Sequence, residues 1–257
     1  MATYTQAQAD RVIFDDGQPI CDGASQFVDL GLSVKWATCN LGAESPEDYG
    51  NYYAWGEVVP QQSEAYMWES YKFSVGLGIY GEPQLTKYTT DDGHIDCFWY
   101  DNQIFIGDNN TILDPEDDAA TANWGADWRM PTLAEMKELM DNCLWLATSD
   151  YKGTGVPGFI VYRAKQDSDK GLCLPENYYE IPNYSLSDTH IFLPANGHSL
   201  QIGIFYGEPG IYLTSSVVED NCIKAHFLAM RPTESYYVPY FSEIDRCMGA
   251  PVRAVHP

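Results

Sequence analysis

Basic side chains are scarce in this sequence. Fourteen Lys and Arg stand against 37 Asp and Glu, a formal net charge of −23 over 257 residues. A duplex-binding protein neutralises phosphates with clustered Lys and Arg, so nucleic acid is excluded as a partner. Binding to anionic lipid is opposed for the same reason. Long apolar runs are missing as well, so no membrane insertion is expected. The opening Met1–Asp10 has neither a basic start nor an apolar core and does not read as a signal peptide. Retention in the cytoplasm, prior loss of a leader, or assembly into a particle released by lysis, such as a virion, would each fit. Zinc spacing is absent too: Cys21, Cys39, Cys97, Cys143, Cys173, Cys222 and Cys247 form no C-x-x-C and no Cys/His cluster. Their odd number and irregular spacing do not suit a secreted disulfide framework, and buried thiols with at most one bridge are expected. No G-x-S-x-G, H-E-x-x-H or P-loop occurs, and the five His lack ligand spacing. Among 37 acids some pair will always meet a glycosidase-like separation, so such a pair carries no information. No catalytic residue, metal or cofactor is expected.

What is present suggests one large, well-packed unit. The chain is 45% hydrophobic and long enough to bury a core unaided. Residues 1–25 are polar apart from Val12-Ile13-Phe14 and read as an N-terminal arm or linker. Short β-like runs follow at Phe27–Leu30, Ser33–Thr38 and Asn51–Trp55, and residues 57–110 are irregular enough to suggest long surface loops. Two helices are predicted. The first has Asp114 as N-cap and Pro115 at the first helical position, and stops near Gly125. The second starts at Thr132, which has capping-box spacing to Glu135, and buries Leu133, Met136, Leu139 and Met140. Further strands are expected at Phe159–Arg163, Ile191–Leu193, Ile211–Thr214, Ala225–Met230, Tyr236–Phe241 and Pro251–Val255. Two helices beside many short antiparallel strands define an α+β class. Asp108, Asn110 and Asp114 could offer hard oxygen ligands, but they lack the glycine and terminal Glu of an EF-hand, and a solvated loop is the expectation. All seven Trp lie at or before Trp145, whereas Tyr, 19 in number, continues to the end. Trp is therefore expected to hold the scaffold and the late Tyr to be offered for contact.

Several blocks in order carry a family resemblance. They are Phe27-Val28-Asp29-Leu30-Gly31-Leu32-Ser33-Val34-Lys35-Trp36-Ala37-Thr38, Tyr53-Ala54-Trp55-Gly56-Glu57, Asn123-Trp124-Gly125, Trp128-Arg129-Met130-Pro131-Thr132, Ile191-Phe192-Leu193-Pro194-Ala195-Asn196-Gly197, Gly210-Ile211-Tyr212 and Val252-Arg253-Ala254-Val255. Together they resemble the Fibrobacter succinogenes major paralogous domain, over about residues 26–257. That family is similar to the C-type-lectin-like fold of formylglycine-generating enzyme relatives and of variable proteins of diversity-generating retroelements. The resemblance implies a C-type-lectin-like domain with a variable, ligand-contacting stretch at about 213–248. Candidate contact residues there are Leu213, Val217, Glu219, Asp220, Asn221, His226, Tyr236, Tyr237, Tyr240, Asp245 and Met248. Leu213 stands where the family usually has Trp. The implied function is non-enzymatic recognition of a bacterial-surface protein or glycan by a phage tail receptor-binding protein, as a homo-oligomer or part of a larger particle. A secreted or lipid-anchored adhesin at the cell surface is the alternative, and a glycan-acting enzyme a further one. Cys222 and Cys247 sit in no block resembling the copper-binding pair of formylglycine-generating enzymes.

Overall fold

A computed structural model describes residues 27–60, 66–176, 183–200, 203–205, 209–233 and 238–257. The arm expected over residues 1–25, and Tyr236 and Tyr237, lie outside them. The described residues form an α+β fold of two helices and short, mostly antiparallel strands in several small sheets. Strand β2 (Lys35–Ala37) pairs on one side with β1 (Phe27–Val28) and on the other with β16 (Val255–His256), which brings the two ends of the described chain into one sheet. Two hairpins follow, β3 (Ser74–Leu77) with β4 (Pro83–Leu85), and β5 (Tyr100–Asp101) with β6 (Ile104–Phe105). A four-stranded sheet is built from β7 (Cys143–Thr148), β8 (Gly158–Arg163), β9 (Cys173–Leu174) and β10 (His190–Pro194), in the order β10-β8-β7-β9 with β9 parallel to β7. β11 (His198–Leu200) and β12 (Gly203–Phe205) form a further hairpin. The last sheet is β13 (Gly210–Val217), β14 (Lys224–Met230) and β15 (Tyr240–Asp245), all antiparallel.

The helices show why local chemistry mattered. Pro115–Asp117 forms only a 3-10 turn, and Asp114 makes no capping hydrogen bond. The cap is Asp118, whose carboxylate accepts from Ala120 N and Thr121 N to open α1 (Ala119–Trp124). Gly125 ends that helix at φ 96°, a conformation L side chains avoid. In α2 (Leu133–Asn142) the capping box forms as the spacing predicted, with Thr132 accepting from Glu135 N and Glu135 accepting from Thr132 N. Met136 and Leu139 are buried, whereas Leu133 and Met140 are half-buried.

Two large clusters sandwich the β13–β14–β15 sheet. On one side Tyr212, Leu228 and Met230 join Trp36, Trp145, Phe159, Met136 and Leu139. On the other, Leu213, Ala225, Phe227 and Ile244 join Trp55, Tyr71, Phe73, Tyr88 and Trp99. Side-chain alternation along a strand divides neighbours between the two cores, so this sheet has little free face near its centre.

Three sequence expectations change here. Asn51–Trp55 is not a strand; Tyr53 makes an isolated bridge to Ala250. Residues 57–110 are not merely surface loops, because Tyr66, Tyr71, Phe73, Leu85, Tyr88 and Trp99 are buried. The late tyrosines expected to be offered for contact include Tyr151, Tyr162 and Tyr212, all of them buried. Tyr66, Tyr71 and Tyr212 are core residues whose hydroxyls donate to the carbonyls of Tyr52, Trp55 and Pro194 at 2.6, 2.6 and 2.9 Å. A phenol can fill a core when its hydroxyl finds an acceptor there.

Candidate functional site

The sequence-based candidates fall into three groups. Leu213 and Val217 are core residues, 0% and 2% exposed, so neither offers a side chain to a ligand. Leu213 points into the aromatic cluster because its strand neighbour Tyr212 takes the opposite side. Tyr236 and Tyr237 lie outside the described residues. The remainder, Glu219, Asp220, Asn221, His226, Tyr240, Asp245 and Met248, are exposed or half-buried. Tyr240 stands at the far end of β15, and all the others gather at the outer end of the last sheet.

That end is built by a turn and a strand pair. Asn221 N donates to Val218 O at 3.2 Å and Lys224 N to Asn221 O at 2.9 Å, closing a turn that leaves Glu219 and Asp220 in solvent. Directly paired residues share a face. Lys224 opposes Asp245, His226 opposes Glu243 and Leu228 opposes Phe241. Inward, Leu228 and Phe241 close onto the core; outward, His226, Glu243, Lys224 and Asp245 meet solvent. Lys224 Nζ lies 3.9 Å from Glu243 Oε2, a solvated pair contributing about 0–1 kcal/mol. Burial lowers the His226 imidazole below its ordinary value despite the nearby Glu243 charge. Burial also raises the Asp245 carboxyl, with Lys224 opposing. Tyr240 is 44% exposed on the opposite face, at the strand's start.

Beneath this edge is a frame the sequence reading missed. Arg246 is fully buried with its guanidinium 4.6 Å from the Trp55 ring, and Tyr71, Phe73 and Tyr88 rings within 5.7 Å. Its N–H groups donate to Tyr71 Oη at 3.0 Å, to the carbonyls of Tyr88 and Cys222 at 3.1 and 2.9 Å, and to the carbonyl of Lys87 at 3.1 Å. Among the described residues the cation is thus held by ring faces and neutral oxygens instead of a carboxylate, contacts that strengthen out of water. Arg253 repeats the device, donating to Asn40 Oδ1 and to the carbonyls of Ala37, Thr38 and Phe192. Burial pulls it down to about 10, which still leaves it charged at neutral pH. Tyr88 sits at φ 59°, a conformation disfavoured for a bulky residue. Asp108 accepting from its N–H, Asp117 accepting from its hydroxyl and Arg246 donating to its carbonyl hold it there.

A second tie runs through Asp92, which accepts from Trp99 Nε1 at 3.0 Å and from both Cys222 N and Sγ at 3.3 and 3.1 Å. Burial would raise this carboxyl, but these hydrogen bonds outweigh it and hold it below the usual range. Asp92 and Arg246 together lock the 66–113 segment to the turn carrying Glu219 and Asp220. The signal for Arg246 was faint: a lone basic residue between Ile244 and Cys247 in a stretch read as display.

The acidic stretch offers no ready cation site among the described residues. Asp114, Glu116 and Asp117 bring oxygens within 4.8 Å of one another. Lys87 Nζ, however, already lies 2.7 Å from Asp114 and 2.5 Å from Asp117, and Lys72 also pairs with Asp117. Asp108 and Asn110 do not join them; Asp108 accepts from Tyr88 N, Thr89 N and Asn110 N. Cys97, Cys143, Cys222 and Cys247 are buried thiols, Cys173 is half-buried, and Cys39 is disulfide-bonded. Burial pushes the Cys222 and Cys247 thiols up to about 12, so both stay protonated at neutral pH and are poor nucleophiles or metal ligands. His190 is a buried strand residue hydrogen-bonded to Tyr151 Oη at 3.2 Å and to Asp188 O at 2.7 Å. No helix among the described residues is long and apolar enough to cross a membrane. Comparison with family models, curated proteins and solved structures finds no match.

Proposed function

We propose that this chain is a non-enzymatic recognition protein of the C-type-lectin-like kind. It binds a bacterial-surface protein or glycan through the outer end of its last sheet, as the receptor-binding component of a phage tail. The observation that carries the reading is the separation of roles along β13–β15. Glu219, Asp220, His226 and Glu243 reach solvent from a backbone whose interior side chains, including Arg246 and Phe227, are fixed in the core. Such a frame lets contact residues be exchanged without disturbing what holds them. The finer fold assignment is supported by the sheet β1-β2-β16, which joins the two ends of the described chain, and by the capping-box helix after Arg129-Met130-Pro131. A second reading, an exported cell-surface adhesin, is favoured by the disulfide at Cys39, a bond that persists in oxidising compartments.

Binding of the labelled chain to cell envelopes of gut bacteria of the Bacteroides group, in which the domain family that the sequence resembles is common, tests the proposal. Saturable binding that His226→Ala with Glu243→Ala weakens is expected, with envelope protease or periodate treatment telling a protein ligand from a glycan. Absence of binding, or envelope glycan turnover that a single carboxylate substitution abolishes, would overturn it.

A further inference from the structure

Nine of the fourteen exposed large hydrophobics among the described residues fall between Val75 and Ile112. Ile79, Tyr80, Phe98, Ile104 and Ile106 are 60–89% exposed. Scattered apolar residues need no explanation, but a concentration on one segment does. They stand on a firmly seated support. Trp99, Leu85 and Phe73 are buried directly beneath, Phe98 N donates to Gln84 Oε1 at 2.8 Å, and Ile106 N donates to Trp99 O at 2.9 Å. Phe98 and Ile106 flank a hollow of about 450 Å³ whose floor includes Leu85 and Trp99. Next to it, the β3–β4 hairpin turns Val75 and Leu77 outward at two-residue spacing. The segment is therefore apolar on both sides, and only one side is covered.

Charge decides what could cover the other. Residues 74–112 carry Glu82, Asp91, Asp92, Asp96, Asp101 and Asp108 against a single lysine, Lys87, which is engaged with Asp114 and Asp117. A second copy would bring the same negative rim, and each chain already carries −23. An anionic membrane is repelled likewise. We infer that the outer face of the β3–β6 hairpins is a docking surface for a partner protein that presents apolar side chains within a rim of Lys and Arg. This surface is separate from the proposed recognition edge, so either can fail alone.

Calorimetric titration of the full chain with a short peptide alternating Leu and Lys, beside Ser–Lys and Leu–Glu peptides of equal length, tests the inference. Saturable binding of the Leu–Lys peptide is expected, weaker in high salt, with both controls at least tenfold weaker. Phe98→Ser with Ile106→Ser should weaken it at least tenfold at unchanged charge and thermal midpoint. Ile79→Ser with Tyr80→Ser provides a second, independent variant should the first fail to fold. Parent-like binding by a folded variant would reduce the attraction to bulk charge and overturn the inference. Equal binding of the Leu–Glu peptide would also overturn it, as would sedimentation showing self-association that these substitutions abolish.

Discussion

The last sheet and the acidic 66–113 segment divide their side chains in opposite ways. The sheet keeps its apolar residues inside, Leu213, Phe227 and Ile244 among them, and turns Glu219, Asp220, His226 and Glu243 outward. The acidic segment buries Tyr71, Phe73, Tyr88 and Trp99 and still leaves Ile79, Phe98, Ile104 and Ile106 in solvent. Yet neither region stands by itself. Arg246 from the sheet's end inserts into the segment's aromatic rings, and Asp92 from the segment grips Cys222 in the sheet's turn. A polar outer edge and an apolar outer face thus share one buried joint, which is why both can be held stiffly on short strands and turns.

The joint is the place to break the comparison. Arg246→Met leaves the Tyr71 hydroxyl and three carbonyls without their donor in a dry site, a loss of about 3–5 kcal/mol or outright failure to fold, read from urea denaturation. Leu213→Ala, which opens a cavity in the same cluster, should cost about 2–5 kcal/mol by the same measurement. Were Leu213 a contact residue, stability would hardly move. Asp92→Asn should cost about 1–3 kcal/mol near neutral pH. The Asp92 carboxyl is held below its ordinary value in the folded chain. Its contribution is therefore complete above the unfolded value near 4 and lost as pH falls through the lower folded one. Acid titration of stability should accordingly be shallower in Asp92→Asn than in the parent. His190 has its pKa lowered by burial, so it too stabilises above the unfolded value of about 6.5 and weakens the fold as pH drops below it. His190→Gln should flatten the fall in stability below pH about 6.5. The smallest effect belongs to the sheet's edge, where Glu219→Ala or Asp220→Ala should change stability by no more than about 0.5 kcal/mol.

How much of this was legible in the sequence depended on whether the signal was local. The α2 capping box needs only Thr132 and Glu135 at fixed spacing, and it formed as read. The α1 start was misplaced by four residues because Asp114 and Asp118 both offer a cap, and only the tertiary contact of Asp118 with Met130 N favours the second. The strands of the last sheet were located to within a few residues, but their two-sided burial was not, since alternation looks the same whether a face meets solvent or a second core. The caged Arg246 was illegible for a different reason. Its partners lie at positions 55–88 and 222, and nothing in the one-dimensional pattern brings them together. The same long-range packing turned an irregular acidic stretch from expected loops into the seat of five buried aromatic side chains.

The separation of edge from frame is tested most directly by one combined variant, Glu219→Ala, Asp220→Ala, His226→Ala and Glu243→Ala. Its thermal midpoint should be measured beside its binding to Bacteroides-group cell envelopes. The expected result is a thermal midpoint within a few degrees of the parent and binding weakened at least a hundredfold, roughly 2.7 kcal/mol. A collapsed thermal midpoint would show these side chains to be part of the frame, and parent-like binding at an unchanged thermal midpoint would place recognition elsewhere on the protein.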